Sequence, residues 1–413
     1  MSNVSVSTGG QSTTKEASPG GGLTSTLVLA LGTFAVGTDA FVVAGFLPDM
    51  ADSLNVSSAA AGQSITVFAA AYAVLSPVLA TLTARLPRRA LLVGALIVLG
   101  LANLGSALAP NFPILIITRI LAAAGAAAYT PNAGAVSAAL VRPELRARSL
   151  AVVVGGLTIA TALGVPLGNV TSEVLGWRTA LGLVAALCLV IAIGVAWIMP
   201  HLPGNPRVPL KTRLGVLRHP AVLTVLPLTV LGMGASYTVY AYSVEALDAV
   251  GIPDSRHVWM LFLYGIGAVL GNFLAGFGTD RWGSTRALTI GYITMVVSLG
   301  VLGWLAAADA SLPVVVGLMM IGWGASSWCQ TPPQQHRLIA VAPQEAPLVV
   351  SLNSSGIYLG IGLGTLLGGA TLHAGVGTMY ALGTGIAVIA LVFLLVTSRT
   401  VDKQDDASEE ATA

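Results

Sequence analysis

About a dozen apolar segments, each close to 20 residues long, follow one another along this chain. A helix of about 20 residues crosses the hydrocarbon core of a bilayer, which is about 30 Å thick. The chain is 55% hydrophobic and only 9% charged, whereas soluble domains carry roughly 25% charged residues. Because so few charges cannot cover a water-facing surface, the sequence predicts an all-α protein that crosses a membrane about twelve times.

The candidate spans fall into two groups of six, separated by a polar and basic stretch. They cover residues 24–47, 62–82, 90–109, 112–139, 149–171, 179–199, 221–243, 258–278, 287–307, 313–331, 348–370 and 378–398. The Ser/Thr/Gly-rich start of the chain is expected to be disordered because it cannot bury enough apolar surface. The predicted organisation is a tail (1–23), a six-helix bundle (24–199), a linker (200–220), a second six-helix bundle (221–398) and an acidic tail (399–413).

The basic residues are distributed unequally between the two sets of loops. If both termini are cytoplasmic, 16 of the 19 basic residues fall on the cytoplasmic side, while Arg119 lies in a span and Arg178 and Arg256 lie outside. Cytoplasmic loops of membrane proteins carry such an excess of lysine and arginine. Arginine far outnumbers lysine, and alanine, glycine, valine and leucine dominate the composition. This bias is typical of a GC-rich bacterial genome, so we expect a multi-pass protein of the bacterial inner membrane.

One acidic residue, Asp39, lies deep inside an apolar span. An ionised carboxylate there costs several kcal/mol unless it is paired, and such residues are usually functional. At 1.5 Å per residue, Asp39 and Arg119 both lie about 11 Å below the outer surface, which predicts a charge pair. The pair has three interpretations: a proton-coupling site, a static ion pair that fixes helix packing, or a substrate contact that does not titrate.

A short basic turn recurs at the same place in both halves, after the second and the eighth span, which indicates an internal duplication. One interpretation of these turns is that they set topology and contact lipid headgroups. The other is a cytoplasmic gate that bridges the two bundles. The candidate gate residues are Arg85, Arg88 and Arg89 in the first half and Gly276, Asp280, Arg281, Gly283 and Arg286 in the second.

The fifth span combines Gly156, Gly164, Pro166 and Gly168. Glycine allows the backbones of two helices to approach closely, and proline bends a helix. The pattern therefore predicts a tight, bent helix–helix contact. A second interpretation adds that this contact seals an exchanger against ion leak.

Together these residues resemble the major facilitator superfamily, and among its members the twelve-span drug:proton antiporters of the chloramphenicol and sugar-efflux type. The second-half turn is similar to the signature G-x-x-x-D-R-x-G-x-x-R. The first-half turn departs from it, with Ala80, Ala84 and Pro87 where Gly, Asp and Gly are usual. Arg119 matches the basic residue of the fourth helix, the fifth-span glycines and proline resemble the antiporter signature, and GTDAFVVAGFLPDMA resembles the first helix of the exporters. The resemblance implies two pseudo-symmetric bundles that alternate access to a central site.

Polar and aromatic side chains in the spans are candidates for the substrate cavity, although each is also compatible with ordinary hydrogen bonds between helices. These candidates are Tyr129, Asn132, Tyr237, Tyr240, Asn272, Trp323, Gln330, Asn353 and Tyr358. A single buried arginine favours a neutral or weakly polar organic substrate over a multivalent anion.

The expected function is therefore proton-coupled efflux of a small organic compound such as an antibiotic. The alternatives are a proton-coupled sugar or nucleoside exporter, an uncoupled facilitative carrier, and a receptor-like sensor or membrane enzyme. The sequence contains no metal-ligand spacing, phosphate-binding loop or nucleophile pattern, so we expect no enzymatic activity, no metal and no cofactor other than the proton. The expected partners are a small molecule, protons and the lipid bilayer, with no nucleic acid, and the protein is expected to be a monomer.

Overall fold

The computed structural model describes residues 21–142, 145–204, 209–342 and 345–410, and most of these residues are helical. No β-strand occurs within these ranges, in agreement with the predicted all-α class. The helices of the first half are α1 (Gly21–Val42), α2 (Leu47–Ser53), α3 (Ser58–Leu82), α4 (Arg88–Ala107), α5 (Phe112–Ala139), α6 (Arg146–Leu175) and α7 (Trp177–Ile198). A 3-10 turn, Val43–Gly45, joins α1 to the short helix α2.

The second half repeats this plan after a short helix in the linker. Its helices are α8 (Leu210–Gly215), α9 (Pro220–Tyr240), α10 (Ser243–Ala249), α11 (Asp254–Trp282), α12 (Ser284–Ala307), α13 (Pro313–Trp328), α14 (Thr331–Val341), α15 (Ala346–Leu372) and α16 (Val376–Glu410). Helix α10 follows α9 as α2 follows α1, so each half has a short helix after its first span.

Among the described residues, eleven helices are long and apolar enough to cross a membrane. The tenth predicted span, 313–331, is instead divided between α13 and α14. Helix α13 has 16 residues and is about 24 Å long, which is shorter than the hydrocarbon core. The break has a local cause, because Pro332 and Pro333 follow it and proline has no amide N–H for the helical hydrogen-bond ladder. The last predicted span also continues as backbone helix beyond Ser398 to Glu410.

Parts of three predicted segments lie outside the described residues. The predicted disordered tail is described only from Gly21 onward, the linker lacks 205–208, and the acidic tail lacks 411–413. The described part of the linker contains α8 and a 3-10 turn at Val216–Arg218.

The helices pack as two bundles of six spans with the same internal plan. In the first bundle α1 packs on α6, and α4 packs on both α5 and α7. In the second bundle α9 packs on α15, α11 packs on α13, and α12 packs on α16. The bundles meet along two seams, α3 against α15 and α6 against α11. These seams are equivalent under the duplication, because each joins the second span of one half to the fifth span of the other.

The two bundles are in close contact in one half of the molecule and enclose a cavity in the other. We call the end of the bundles that carries Arg85, Arg142 and Arg286 the arginine-rich face, and the other end the opposite face. Near the middle of one seam, a Cβ atom on Gly265 of α11 would lie 2.4 Å from the carbonyl oxygen of Ala162 on α6. Because only glycine fits this contact, the seam is closed there, whereas the half nearer the arginine-rich face contains a cavity.

Candidate functional site

The structure brings Asp39 of α1 and Arg119 of α5 into direct contact, as their shared depth predicts. The Arg119 Nη1 atom lies 2.6 Å from Asp39 Oδ1, and the side chains are 1% and 0% exposed. A second Arg119 nitrogen, Nη2, donates a hydrogen bond of 3.3 Å to the backbone carbonyl of Asp39. A buried ion pair is stable only when its geometry is good, since both charges have left water.

The pair is incompletely hydrogen-bonded. Within the described residues, Asp39 Oδ2 and Arg119 Nε have no hydrogen-bond partner. Buried polar atoms are nearly always partnered, so such exceptions often mark a site that acts on protons, ions or ligands. The free carboxylate oxygen is available to accept a proton or a water molecule.

Aromatic side chains connect this pair to the seam between the bundles. The Arg119 guanidinium lies over the ring of Phe68 on α3, 4.6 Å from its centroid. Tyr358 of α15 contacts Phe68 with 6.3 Å between ring centroids and stacks on Tyr72 at 3.7 Å. Because Tyr358 belongs to the second bundle, a relative movement of the bundles changes the surroundings of the charge pair.

A cavity of about 330 Å³ lies between the bundles in the half nearer the arginine-rich face. Helices α1, α5 and α6 of the first bundle line it together with α11, α13, α14 and α15 of the second. None of the lining residues in the described part of the chain is charged. They are Thr33, Thr130, Pro131, Gly134, Ala135, Leu150, Val153, Val154, Leu157, Thr158, Thr161, Ala268, Asn272, Trp328, Thr331, Gln335, Val350, Ser351, Ser354 and Ile357.

Of the predicted cavity residues, Asn272 lines this cavity, and Tyr358 lies at the seam beside it. The predicted residues of α5 make contacts within the first bundle. Tyr129 is buried and donates a hydrogen bond to the Leu29 carbonyl, and Asn132 accepts one from Arg88. In this conformation their polar atoms serve helix packing, because each has a partner inside its own bundle.

The remaining predicted cavity residues are buried inside the second bundle. Tyr240 stacks on Tyr264 with 4.4 Å between ring centroids, and both Tyr237 and Trp323 pack edge-on against Tyr240. The side-chain amides of Gln330 and Asn353 accept hydrogen bonds from residues of the same bundle. The Gln330 side-chain oxygen accepts a hydrogen bond from Tyr292, and that of Asn353 accepts one from Thr229.

Trp328 is a cavity residue that the sequence interpretation missed. Its indole ring lines the cavity, packs edge-on against Phe41 of the first bundle at 5.8 Å, and carries a buried Nε1 atom without a hydrogen-bond partner. The neighbouring Thr331 hydroxyl is also buried without a partner. The one signal in the sequence was the pair of prolines that follows, because a break in a membrane helix often lines a cavity.

The basic turn of the first half makes its contacts within the first bundle and with the start of the linker, where the Arg88 amide donates to the Leu202 carbonyl. Arg88 is buried, and it donates hydrogen bonds to Asn132 at 2.8 Å and to the Ala84 carbonyl at 3.2 Å. Arg89 donates to the carbonyl of Ala196 on α7, and Arg85 is exposed. With the cavity present beside this face, the arrangement contains no bridge from these three arginines to the second bundle among the described residues.

The second-half turn separates α11 from α12. Gly283 has a φ of +83°, a conformation that glycine adopts without steric cost. Three charged members of the motif, Asp280, Arg281 and Arg286, are exposed, and Gly276 has open space where a side chain would extend.

Helix α6 lies directly against α1 at the predicted glycines. A Cβ atom on Gly156 would lie 2.1 Å from the Ala30 carbonyl oxygen, and one on Gly168 would lie 2.4 Å from that of Val42. At Gly164 the nearest atom is the Cβ of Phe41 at 3.1 Å, and Pro166 lies inside the helix. The backbones of α6 and α1 therefore pack directly against each other at these glycines. This contact fixes the position of α1, the helix that carries Asp39.

Two duplicated bundles of membrane-spanning helices, enclosing a cavity between them, define a transporter of the alternating-access class. The model of the Major Facilitator Superfamily matches residues 29–336 and 228–413, and the chain belongs to this superfamily. It is a multi-pass membrane transporter and not an enzyme.

Known relatives extend over nearly the whole chain. The inner membrane transport protein YdhP of Escherichia coli K12 is 33% identical over 373 residues, which cover 90% of this chain and 94% of that protein. A chloramphenicol resistance protein of Streptomyces lividans is 30% identical over 376 residues, covering 88% and 94%. The crystal structure of a D-xylose-proton symporter has a TM-score of 0.72 at 17% identity, covering 90% and 97%, which shows the shared fold.

Proposed function

We propose that this transporter exports a small, neutral or weakly polar organic molecule in exchange for protons. The observation that carries the proposal is the buried Asp39–Arg119 pair with a free carboxylate oxygen. In this proposal the arginine-rich face is cytoplasmic, in line with the distribution of basic loops, and the membrane is the bacterial inner membrane. The conformation described above is then inward-facing, with its cavity on the cytoplasmic side.

The coupling mechanism follows from the cost of an unpaired buried charge. Protonation of Asp39 removes the negative charge and leaves the Arg119 guanidinium without its counter-ion, which is unfavourable in a dry site. The protonated form therefore favours a conformation in which water reaches Arg119, and the ionised form favours a closed pair. A proton bound from one side and released to the other drives the alternation, because it stabilises the two conformations unequally.

The contact between Tyr358 and Phe68 provides a route by which bundle movement reaches the pair. In the closed seam Tyr358 covers Phe68 and Tyr72, and these rings exclude water from the guanidinium over Phe68. Withdrawal of the second bundle on the opposite face would remove this cover and hydrate the pair. Hydration lowers the cost of each separated charge.

The cavity supports a substrate without a full charge. Its lining contains hydroxyl and amide side chains and an indole ring among apolar side chains, which suits an organic molecule with a few hydrogen-bonding groups. A charged group would lose its hydration there without gaining a partner. The similarity to a chloramphenicol resistance protein is consistent with an antibiotic-like solute.

The experiment that tests this function combines a substrate panel with transport in everted membrane vesicles. Expression in an efflux-deficient host, with and without an uncoupler, identifies antibiotics or metabolites whose export depends on the proton gradient. Asp39→Asn should abolish gradient-driven transport of the compound found. Asp52→Asn, which changes an exposed acid outside the spans, should leave it unchanged.

The alternative functions give distinct results in the same assay. Gradient-independent transport that survives Asp39→Asn would identify an uncoupled carrier and contradict the proposal. Gradient-dependent export of sugars or nucleosides, with no effect on lipophilic antibiotics, would retain the coupling and replace the substrate class.

A further inference from the structure

A second acid, Glu245, has a buried carboxyl group at the opposite face of the molecule, away from the cavity. It lies in the first turn of the short helix α10, which follows the membrane span α9. Both of its carboxyl oxygens are inaccessible to solvent, and neither has a partner at the distance and angle of a hydrogen bond. Glutamate is rarely buried without a partner, so this position requires a physical explanation.

The surroundings of α10 form the closed contact between the bundles at this face. The side chain of Tyr242, just before α10, fills a space between the bundles: a Cβ atom on Gly62 of α3 would lie 2.2 Å from its hydroxyl, and one on Gly369 of α15 would lie 2.4 Å from it. The hydroxyl donates a hydrogen bond to the Thr365 carbonyl. Helix α10 also contacts the turn Val43–Gly45 of the first bundle. Separation of the bundles at this face would therefore expose the helix that carries Glu245.

Among the described residues, the groups that shift the pKa of Glu245 include no positively charged side chain. Burial is the largest effect and raises the pKa of Glu245 above its usual value. Polar contacts with its own backbone amide and with Ser58, at the start of α3 in the first bundle, lower the pKa, and the negative charge of Asp248 raises it. On α11, His257 pairs with Asp248 at 3.2 Å, and Asp254 lies beside that pair.

The other neighbouring elements add no charge. On α16, the Tyr380 hydroxyl donates to the carbonyl of Ala246, and the turn Val43–Gly45 contains no titratable side chain. Within the described residues, no lysine, arginine or histidine forms a salt bridge with Glu245. The carboxyl group thus lacks the counter-ion that would stabilise its charged form in the closed contact.

We propose that Glu245 is a second proton-binding site, which takes up a proton when the bundles close at the opposite face and releases it when they open. The inference rests on the proposed function only in treating the chain as an alternating-access transporter whose opposite face is external. A proton arriving from outside would neutralise Glu245 and allow the external contact to close. Asp39 would exchange its proton at the central site, and Glu245 would exchange its proton as the external contact closes and opens.

The direction of the pH dependence follows from linkage. In the open contact Glu245 is hydrated and has an ordinary pKa of about 4.3, whereas in the closed contact its pKa is raised. The closed form therefore binds more protons, so it is favoured as the pH falls and disfavoured as the pH rises. Between the two pKa values the ratio of closed to open protein should change by up to about tenfold per pH unit.

The experiment measures the distance across this contact with spin labels, without substrate or a proton gradient. Asp52→Cys and Ser255→Cys place one label on each bundle at exposed positions. The native cysteines, Cys188 and Cys329, are free and buried, and both are changed to alanine. We expect the short-distance population of the parent protein to increase between pH 8 and pH 5.

Variants at two acids then test the assignment. Glu245→Gln should keep the short distance at every pH, because its side chain cannot ionise, and Glu245→Asp should retain the pH response. Asp248→Asn should move the midpoint of the response to lower pH, because it removes the negative charge that raises the pKa of Glu245. The Asp248→Asn measurement tests the proposal independently if Glu245→Gln does not fold.

A parallel series in an Asp39→Asn background separates this site from the central pair. A response that persists in Asp39→Asn and disappears when Glu245→Gln is added supports the proposal, whatever the transport assays show for Asp39. A response that is unchanged by Glu245→Gln, or is abolished by Asp39→Asn alone, would overturn it. A midpoint that does not move in Asp248→Asn would also count against it.

Discussion

Removing the charge of Asp39 alone should destabilise the protein, and removing both charges of the pair should restore most of the stability. Asp39→Asn keeps an oxygen that accepts the hydrogen bond from Arg119, but it leaves the guanidinium without a counter-ion. Loss of one partner of a buried ion pair costs about 3–5 kcal/mol. Because the two side chains are 0% and 1% exposed and their closest atoms are 2.6 Å apart, solvent screens this charge little. The double variant Asp39→Asn/Arg119→Gln contains no unpaired charge and should recover all but about 1–2 kcal/mol.

Two measurements on the same purified variants distinguish a proton-coupling pair from a static one. The free energy of unfolding in mixed detergent micelles should decrease in the single variant and recover in the double variant. Proton-driven transport in proteoliposomes should be lost in both. A double variant that recovers stability and gradient-driven transport together would refute the coupling role and support a structural ion pair. A single variant as stable as the wild type would refute the argument that both groups are charged in this conformation.

Three further perturbations follow from the packing. Gly156→Ala should lower the stability measured by thermal unfolding by about 1–3 kcal/mol, because its Cβ would lie 2.1 Å from a carbonyl oxygen of α1. Gly155→Ala, with open space at that position, should not lower the stability. Arg88→Ala should also lower the stability by about 1–3 kcal/mol, because it leaves the partly buried side-chain amide of Asn132 on α5 without its hydrogen-bond donor. Unchanged stability of this variant would show that the contact contributes nothing. Trp328→Phe removes part of the apolar ring surface that lines the cavity and should raise the KM for a substrate that packs against the indole about tenfold without affecting proton coupling. Trp197→Phe, at an 83% exposed position, should leave KM unchanged.

The spans and the charge pair could be predicted from the sequence because their causes are local. A membrane helix depends on the composition of about 20 consecutive residues, so most of the spans could be located from the chain alone. The contact between Asp39 and Arg119 required only their depths, since the bilayer aligns residues on different helices along one axis. The division of the tenth span into α13 and α14 was missed, although Pro332 and Pro333 mark it.

The cavity could be predicted only in part. Asn272 and Tyr237 are both polar or aromatic residues in apolar spans, yet Asn272 lines the cavity and Tyr237 is buried among aromatic rings of its own bundle. The hydrophobic periodicity that distinguishes the faces of a soluble helix is weak here, because lipid and protein interior are both apolar. Which face of a helix points to the cavity is therefore set by the packing of its neighbours.

The sequence by itself determined that this chain is a duplicated bundle of membrane helices with one buried acid and one buried base at the same depth. Composition and helix rise are enough for that conclusion, because the bilayer fixes the depth at which each residue of a span lies. Only the tertiary structure decided that Tyr358 covers the charge pair from the second bundle, and that Glu245 lies without a counter-ion in the closed contact. Both facts depend on how two bundles meet, and the free energy of that contact depends on side-chain shape across the seams.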